Sequence, residues 1–333
     1  MDLVALVTLV GGLSYRQFVL VPLYRDLPGD ADRSFRLLMA VSLLMLGATS
    51  TADLIFRTLM MSGRPFSELF SVLPTVLLQT HFGRVWVWRA GLLLLLFGFW
   101  FLQRGPRPRI RGYLVLFVGS GVCLTTSLSG HAADLGSLTI TVFVDWIHVM
   151  AVSSWVGGLF FMRFHLSGRL TFLEGNTRAR CLTAGIERFS TVAMTAVGAL
   201  IATGLYNTWV HVHSPALLVG TSYGKILILK WSFLLPMLLL GAVSRYGILP
   251  LLQAQGGKTK ESFLTRMISG WIKRVGDRFQ ICPPPVLELE QWFFRLIMIE
   301  AILGLGVLAC SAWMTQLPPP HQLLLETEQS HSH

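Results

Sequence analysis

The stretch SGHAADLGSLTITVFVDWIHVMAVSSWVGGL, residues 129–159, carries the side chains best suited to chemistry in this chain. Asp145 and His148 interrupt an otherwise apolar run, and His131 precedes His148 by seventeen positions. A spacing of three puts Asp145 and His148 on one face of a helix. Imidazole is the commonest side-chain ligand for transition metals. A carboxylate beside it either fixes the ring tautomer or binds the metal directly. His131 stands in a glycine-flanked turn that lets it fold inward, and Trp155–Gly158 supplies small residues for close helix approach. The arrangement predicts a shallow metal site shared by His131, Asp145 and His148.

The elements that must position these residues are membrane helices. Of the 333 residues 53% are hydrophobic and 13% charged, about half the charged share of a soluble domain. Long apolar runs recur throughout, and lipid leaves helices or closed barrels as the only spanning structures. The reading is all-α: a polytopic bundle of eight transmembrane helices at about 2–22, 36–59, 84–102, 112–129, 139–162, 187–209, 223–248 and 292–315. These form one transmembrane domain, 1–318, followed by a flexible histidine-containing tail, 319–333. The start, MDLVALVTLVGG, lacks a basic leader region and reads as the first span, not a cleaved signal. Cys123, Cys181, Cys282 and Cys310 are scattered and read as apolar filler.

Lys and Arg collect in the third, fifth and seventh connections, for example Arg104, Arg107, Arg109 and Arg111 in the third. This bias makes those connections cytoplasmic and puts both termini outside. The net charge of +10 then belongs to topology and to anionic lipid, not to nucleic acid. In the seventh connection Phe263, Met267, Trp271, Val275 and Phe279 recur every four residues among basic ones, which predicts an amphipathic helix on the inner leaflet.

With that topology His81, His131, His148, His211, His213, His321, His331 and His333 fall in the outer half, and His165 alone lies at the inner end. His81, His211, His213 and the tail read as first contacts for a metal. Met150, beside His148, adds a soft thioether of the kind monovalent copper takes. Asp53, near the outer end of the second span, is a further oxygen donor. Lys230 and Glu300 are ionisable groups inside the seventh and eighth spans, where such groups need partners. Their spans are consecutive and antiparallel, so an ion pair between them is one geometry and an ion pathway another.

Several short stretches, in order, resemble one family. They are QTHFGRVWVWRAG (79–91), SGHA (129–132), IHVMAVSSWVGGL (147–159), ERFS (187–190), TSYGKILILK (221–230), SRYGILP (244–250) and IEAILG (299–304). The chain resembles the copper resistance protein D family (CopD/PcoD), most densely over 120–310. The resemblance implies an inner-membrane bundle that handles copper ions, Cu(I) or Cu(II), often beside a soluble periplasmic carrier of the CopC type. By the same resemblance His131, His148, Arg188, Lys230 and Glu300 occupy family motif positions, with Trp155 in the WVGG segment. Some relatives carry a fused soluble copper-binding domain, and none is expected here.

Three functions remain open on this reading. The first is copper import from the periplasm through an outward-facing site between the fourth and fifth spans. The second is a copper-binding or delivery protein that does not transport; the scarcity of ligands in the inner half (Met162, Met194, Met298 and Glu300) suits it. The third is a haem-bearing electron carrier, which needs a second intramembrane histidine level with His148. No enzymatic activity is expected, and no nucleotide motif is present.

Overall fold

The computed structural model describes residues 2–23, 32–101, 108–130, 139–211, 215–255, 270 and 286–317. Among them there is no strand. Eight helices are long and apolar enough to cross a membrane. They are α1 (Asp2–Leu23), α2 (Arg33–Ser62), α4 (His81–Trp100), α5 (Ile110–Leu128), α6 (Ile140–Leu170), α7 (Gly175–Val210), α9 (Ser222–Gln253) and α10 (Leu287–Met314). Two shorter helices, α3 (Leu69–Gln79) and α8 (Pro215–Gly220), lie in the second and sixth connections. The amphipathic helix expected in the seventh connection lies outside the described residues.

The spans agree with the apolar runs to within five residues except at one end of α6 and α7, where helix continues past Arg163, Arg169, Arg178 and Glu187. Hydropathy stops at a charge, but a backbone can stay helical through the polar boundary of a bilayer. The chain divides into two compact units.

The first unit comprises Met1–Gln17, Asp32–Gly157 and Ala196–His211. α1 runs through its core, with most of Ala5–Tyr15 buried. Gly11 of α1 meets Gly157 of α6 so closely that a Cβ on either would collide with backbone of the other helix. Such contacts between small residues bring membrane helices together where the hydrophobic effect cannot. Ser14 and Ser154 share a hydrogen bond of 3.0 Å beside that crossing. At this point α6 widens into a π turn, Ser153–Gly157, a local irregularity frequent at functional sites.

The first unit also holds a partly buried ion pair. Arg89 of α4 donates to the Asp2 carboxylate at 2.7 Å. The same carboxylate accepts from Ser50 at 2.9 Å and from Thr49 at 3.1 Å, both on α2. Trp86 Nε1 donates to the Ser50 carbonyl at 2.9 Å. One acid therefore ties α1, α2 and α4 together, and it sits in the first turn of α1, where the helix dipole favours a negative charge.

The second unit comprises Phe18–Ala31, Gly158–Thr195 and Val212–His333. Its main seam is the antiparallel pair α9–α10, with Phe233 opposite Gly306 and Gly241 opposite Glu300. Arg178 of α7 holds Glu290 of α10 by two parallel hydrogen bonds of 2.9 Å, the fork geometry that makes arginine–carboxylate pairs strong.

Two substitutions test the role of the glycine crossing. Gly157→Ala is expected to cost about 1–3 kcal/mol through overpacking, read as a lower midpoint of thermal unfolding in detergent. Gly47→Ala, where nothing lies within 4 Å of the added carbon, is expected to leave the midpoint unchanged or slightly higher.

Candidate functional site

His148 lies eight residues inside the start of α6, about 12 Å along the helix at 1.5 Å per residue. Its partner comes from α7: His148 Nδ1 and Thr203 Oγ1 are 2.9 Å apart. Thr203 is itself seven residues from the end of α7 at Val210, so both groups sit at nearly the same depth from their helix ends.

The direction of this hydrogen bond follows from a second one. The Thr203 hydroxyl has one proton, and it donates that proton to the Ala199 carbonyl at 2.6 Å. Toward the ring Thr203 can then only accept, so His148 carries a proton on Nδ1. In the neutral ring the lone pair is on Nε2. A second group fixing which nitrogen is protonated is the usual support of a metal-binding histidine. Gly204 follows Thr203, and a Cβ there would lie 3.9 Å from His148 Cε1, so the ring packs on a bare stretch of α7.

The segment that carries the ring is anchored on both sides. Trp146 Nε1 donates to the Ser120 carbonyl of α5 at 2.8 Å, and Ser154 meets Ser14 of α1. Asp145 is half-buried one turn from His148, on the same side of α6. Met150 is also half-buried, but two residues from His148 is roughly 200° around a helix, so this thioether and the ring do not converge.

His81 opens α4, is exposed, and lies 3.1 Å through Nε2 from the Leu128 carbonyl at the end of α5. A carbonyl only accepts, so this ring is protonated on Nε2. His81 is thereby held three residues before His131, which lies outside the described residues, as do the His211 side chain, His213 and the tail. Asp53 pairs with Arg57 at 3.1 Å, and the Arg57 guanidinium stacks 4.8 Å from the Phe82 ring centre. Its carboxylate is engaged within α2. Among the described residues no three His, Cys, Asp or Glu side chains are grouped to hold a metal ion.

Of the remaining motif residues, Trp155 is buried at 3% exposure and forms part of the π turn. Arg188 is exposed on α7. Lys230 and Glu300 do not pair. Glu300 faces Gly241, eleven residues or about 16 Å beyond Lys230 along α9. The end of α6 away from His148 buries Met162 and His165 in a second π turn.

Two features escaped the sequence reading. Thr203 is an ordinary span hydroxyl, and nothing local marks it as a partner for a ring 55 positions away. Asp2 and Arg89 were detectable, because two opposite charges inside apolar spans each need an answer.

Residues 1–140 match the family model of the copper resistance protein D-like N-terminal domain, and residues 184–272 match that of copper resistance protein D. The chain belongs to the copper resistance protein D family. It is 30% identical over 181 residues to the copper transport protein CutJ of Bacillus subtilis (strain 168), covering 50% of this chain and 31% of that protein. It is 25% identical over 193 residues to the inner membrane protein YebZ of Escherichia coli (strain K12), covering 56% of this chain and 62% of that protein. The chain thus spans about a third of the first relative and three fifths of the second. No solved structure matches it. This copper resistance D family member is a multi-pass protein of the inner membrane.

If Thr203 sets the tautomer of His148, then Thr203→Val loses it and Thr203→Ser keeps it. The valine variant is expected to bind copper about 10–100-fold more weakly, and the serine variant to stay within a few-fold of the parent, in competition titrations of the purified protein.

Proposed function

We propose that this protein imports copper across the bacterial inner membrane, receiving it from the periplasmic side at a site built on His148. The observation that carries the reading is the Nδ1–H of His148 bonded to Thr203, which puts the lone pair for a metal on Nε2 within an apolar helix. An imidazole fixed in this way is a ready ligand for copper in either oxidation state.

Topology supports the direction. Lys and Arg mark the opposite helix ends as cytoplasmic, which sets His148, Asp145 and His81 in the outer half. His131, which follows Leu128 by three positions in the sequence, is the second nitrogen ligand of this proposal. Asp145 adds an oxygen or orients a ring. A soluble periplasmic carrier of the CopC type delivers the ion. That the Bacillus subtilis relative is by name a copper transport protein is in keeping with this. Copper here is cargo, not the cofactor of a reaction.

The competing reading is a membrane copper-binding or delivery protein that does not transport, favoured by the concentration of nitrogen donors at one end. Uptake by proteoliposomes separates the two. With cuprous ion kept reduced by ascorbate, the wild-type protein is expected to accumulate copper in the lumen. His148→Ala is expected to lose more than about 90% of that uptake together with tight binding. Stoichiometric binding without lumenal copper in the wild type overturns transport and leaves delivery.

A further inference from the structure

We propose that Glu300 is a proton-exchange site within the α9–α10 seam, holding a proton at rest and releasing it when a positive charge enters the seam. The inference goes beyond the copper site, and only its coupling to copper rests on the transport reading.

Glu300 lies near the middle of α10 with 2% of its surface exposed. Its Oε1 is buried with no hydrogen-bond partner among the described residues. The other oxygen lies 4.0 Å from where a Cβ on Gly241 would stand. Three residues further along the same face of α9, Ser244 is 6% exposed and its Oγ likewise lacks a partner among the described residues. A serine in a helix ordinarily bonds a carbonyl of the preceding turn, but Ser244 opens a π turn, Ser244–Ile248. The seam thus holds two buried oxygens that no described residue answers. Buried polar atoms are nearly always paired, and exceptions call for an unseen ligand or a functional role.

The chemistry of the pair selects the ligand. Soft monovalent copper takes thioether, thiolate or imidazole, whereas a carboxyl and a hydroxyl are oxygen donors. Met237, one turn before Gly241, is a single buried thioether beside them. A carboxylate with no cation opposite it is very costly in hydrocarbon, and a proton removes that cost.

Among the described residues, the neighbouring charges leave Glu300 without a fixed counter-ion. Lys230 is about 16 Å away along α9. Arg245 stacks on the Tyr246 ring, and the Tyr246 hydroxyl lies against Met194 Sδ at 3.8 Å. Arg163 packs on Phe164 and donates to Ser167. On α10 itself Glu290 is held by Arg178, Arg295 is five residues toward one end, and Cys310 is ten toward the other. His165 is the other titratable group buried on an element packed against α10. The exchange balances. The carboxyl O–H bond breaks, the proton leaves to water, and the carboxylate charge offsets one entering positive charge.

Infrared difference spectra of the purified full-length protein across a pH titration test the proton directly. A band of a protonated carboxyl is expected in the wild type and in His165→Gln, and is expected to vanish in Glu300→Gln, whose folding is checked by thermal unfolding. Persistence of the whole band in Glu300→Gln overturns the proposal, whatever copper does. In proteoliposomes loaded with a pH dye, about one proton is expected to move per cuprous ion, and none in Glu300→Gln. If Glu300→Gln instead lowers bound copper by one equivalent, Glu300 is a metal ligand and the proposal falls. If the wild type takes up no copper, the transport reading fails while the infrared result still decides the proton site.

Discussion

A polar atom in hydrocarbon has no water to turn to, so leaving one unanswered by the protein is costly. The ties across the helices of this molecule follow from that constraint. In the first unit Asp2 is answered by Arg89, Ser50 and Thr49, which ties three helices at one carboxylate. In the second, Glu290 is answered by Arg178. The imidazole of His148 is answered by a threonine on another helix. Each of these contacts joins residues far apart in sequence, so together they specify which helices are neighbours more sharply than apolar packing does. Leucine against leucine is hardly better than leucine against lipid.

Close packing then gives those contacts their precision. Gly11 and Gly157 let α1 and α6 touch backbone to backbone, and the Ser14–Ser154 bond forms only because they do. Trp146 fixes the same helix to α5 from the other direction. The two anchors bracket His148, so the ring is presented by a segment held against rotation about its own axis. A histidine on a loosely held span would lose the 2.9 Å contact with Thr203, and with it the fixed tautomer that makes one nitrogen a ligand.

Much of this architecture was readable in the chain. Apolar runs of about twenty residues gave all eight spans, because bilayer thickness dictates that length. The small residues of WVGG marked a close helix approach, which proved to be Gly157 on Gly11. The shared face of Asp145 and His148 followed from spacing alone. What periodicity does not carry is level. Lys230 and Glu300 lie on consecutive antiparallel helices, which makes the helices neighbours but leaves their sliding position open; packing put Gly241, not Lys230, opposite Glu300. Thr203 was hidden for a similar reason, since its role depends on the depth at which α7 passes α6. Asp53 illustrates another limit: an arginine one turn away was available to engage it, and a local pair forms before a distant one.

The bond between His148 and Thr203 also bears on the direction in which protons move. Because Thr203 gives its own proton to Ala199, the ring keeps its proton on Nδ1 whether or not Nε2 holds a metal. A neutral ring in this tautomer takes up copper without releasing a proton, for Nε2 has none to give. In the proposed cycle a proton that leaves as copper moves must therefore come from another group. Glu300 has the features such a group needs: an acid enclosed by the protein and, among the described residues, one oxygen unanswered and no cation held against it. Nitrogen would then select the metal in one unit and oxygen would balance its charge in the other, a division that follows from the donor preferences of copper and of the proton.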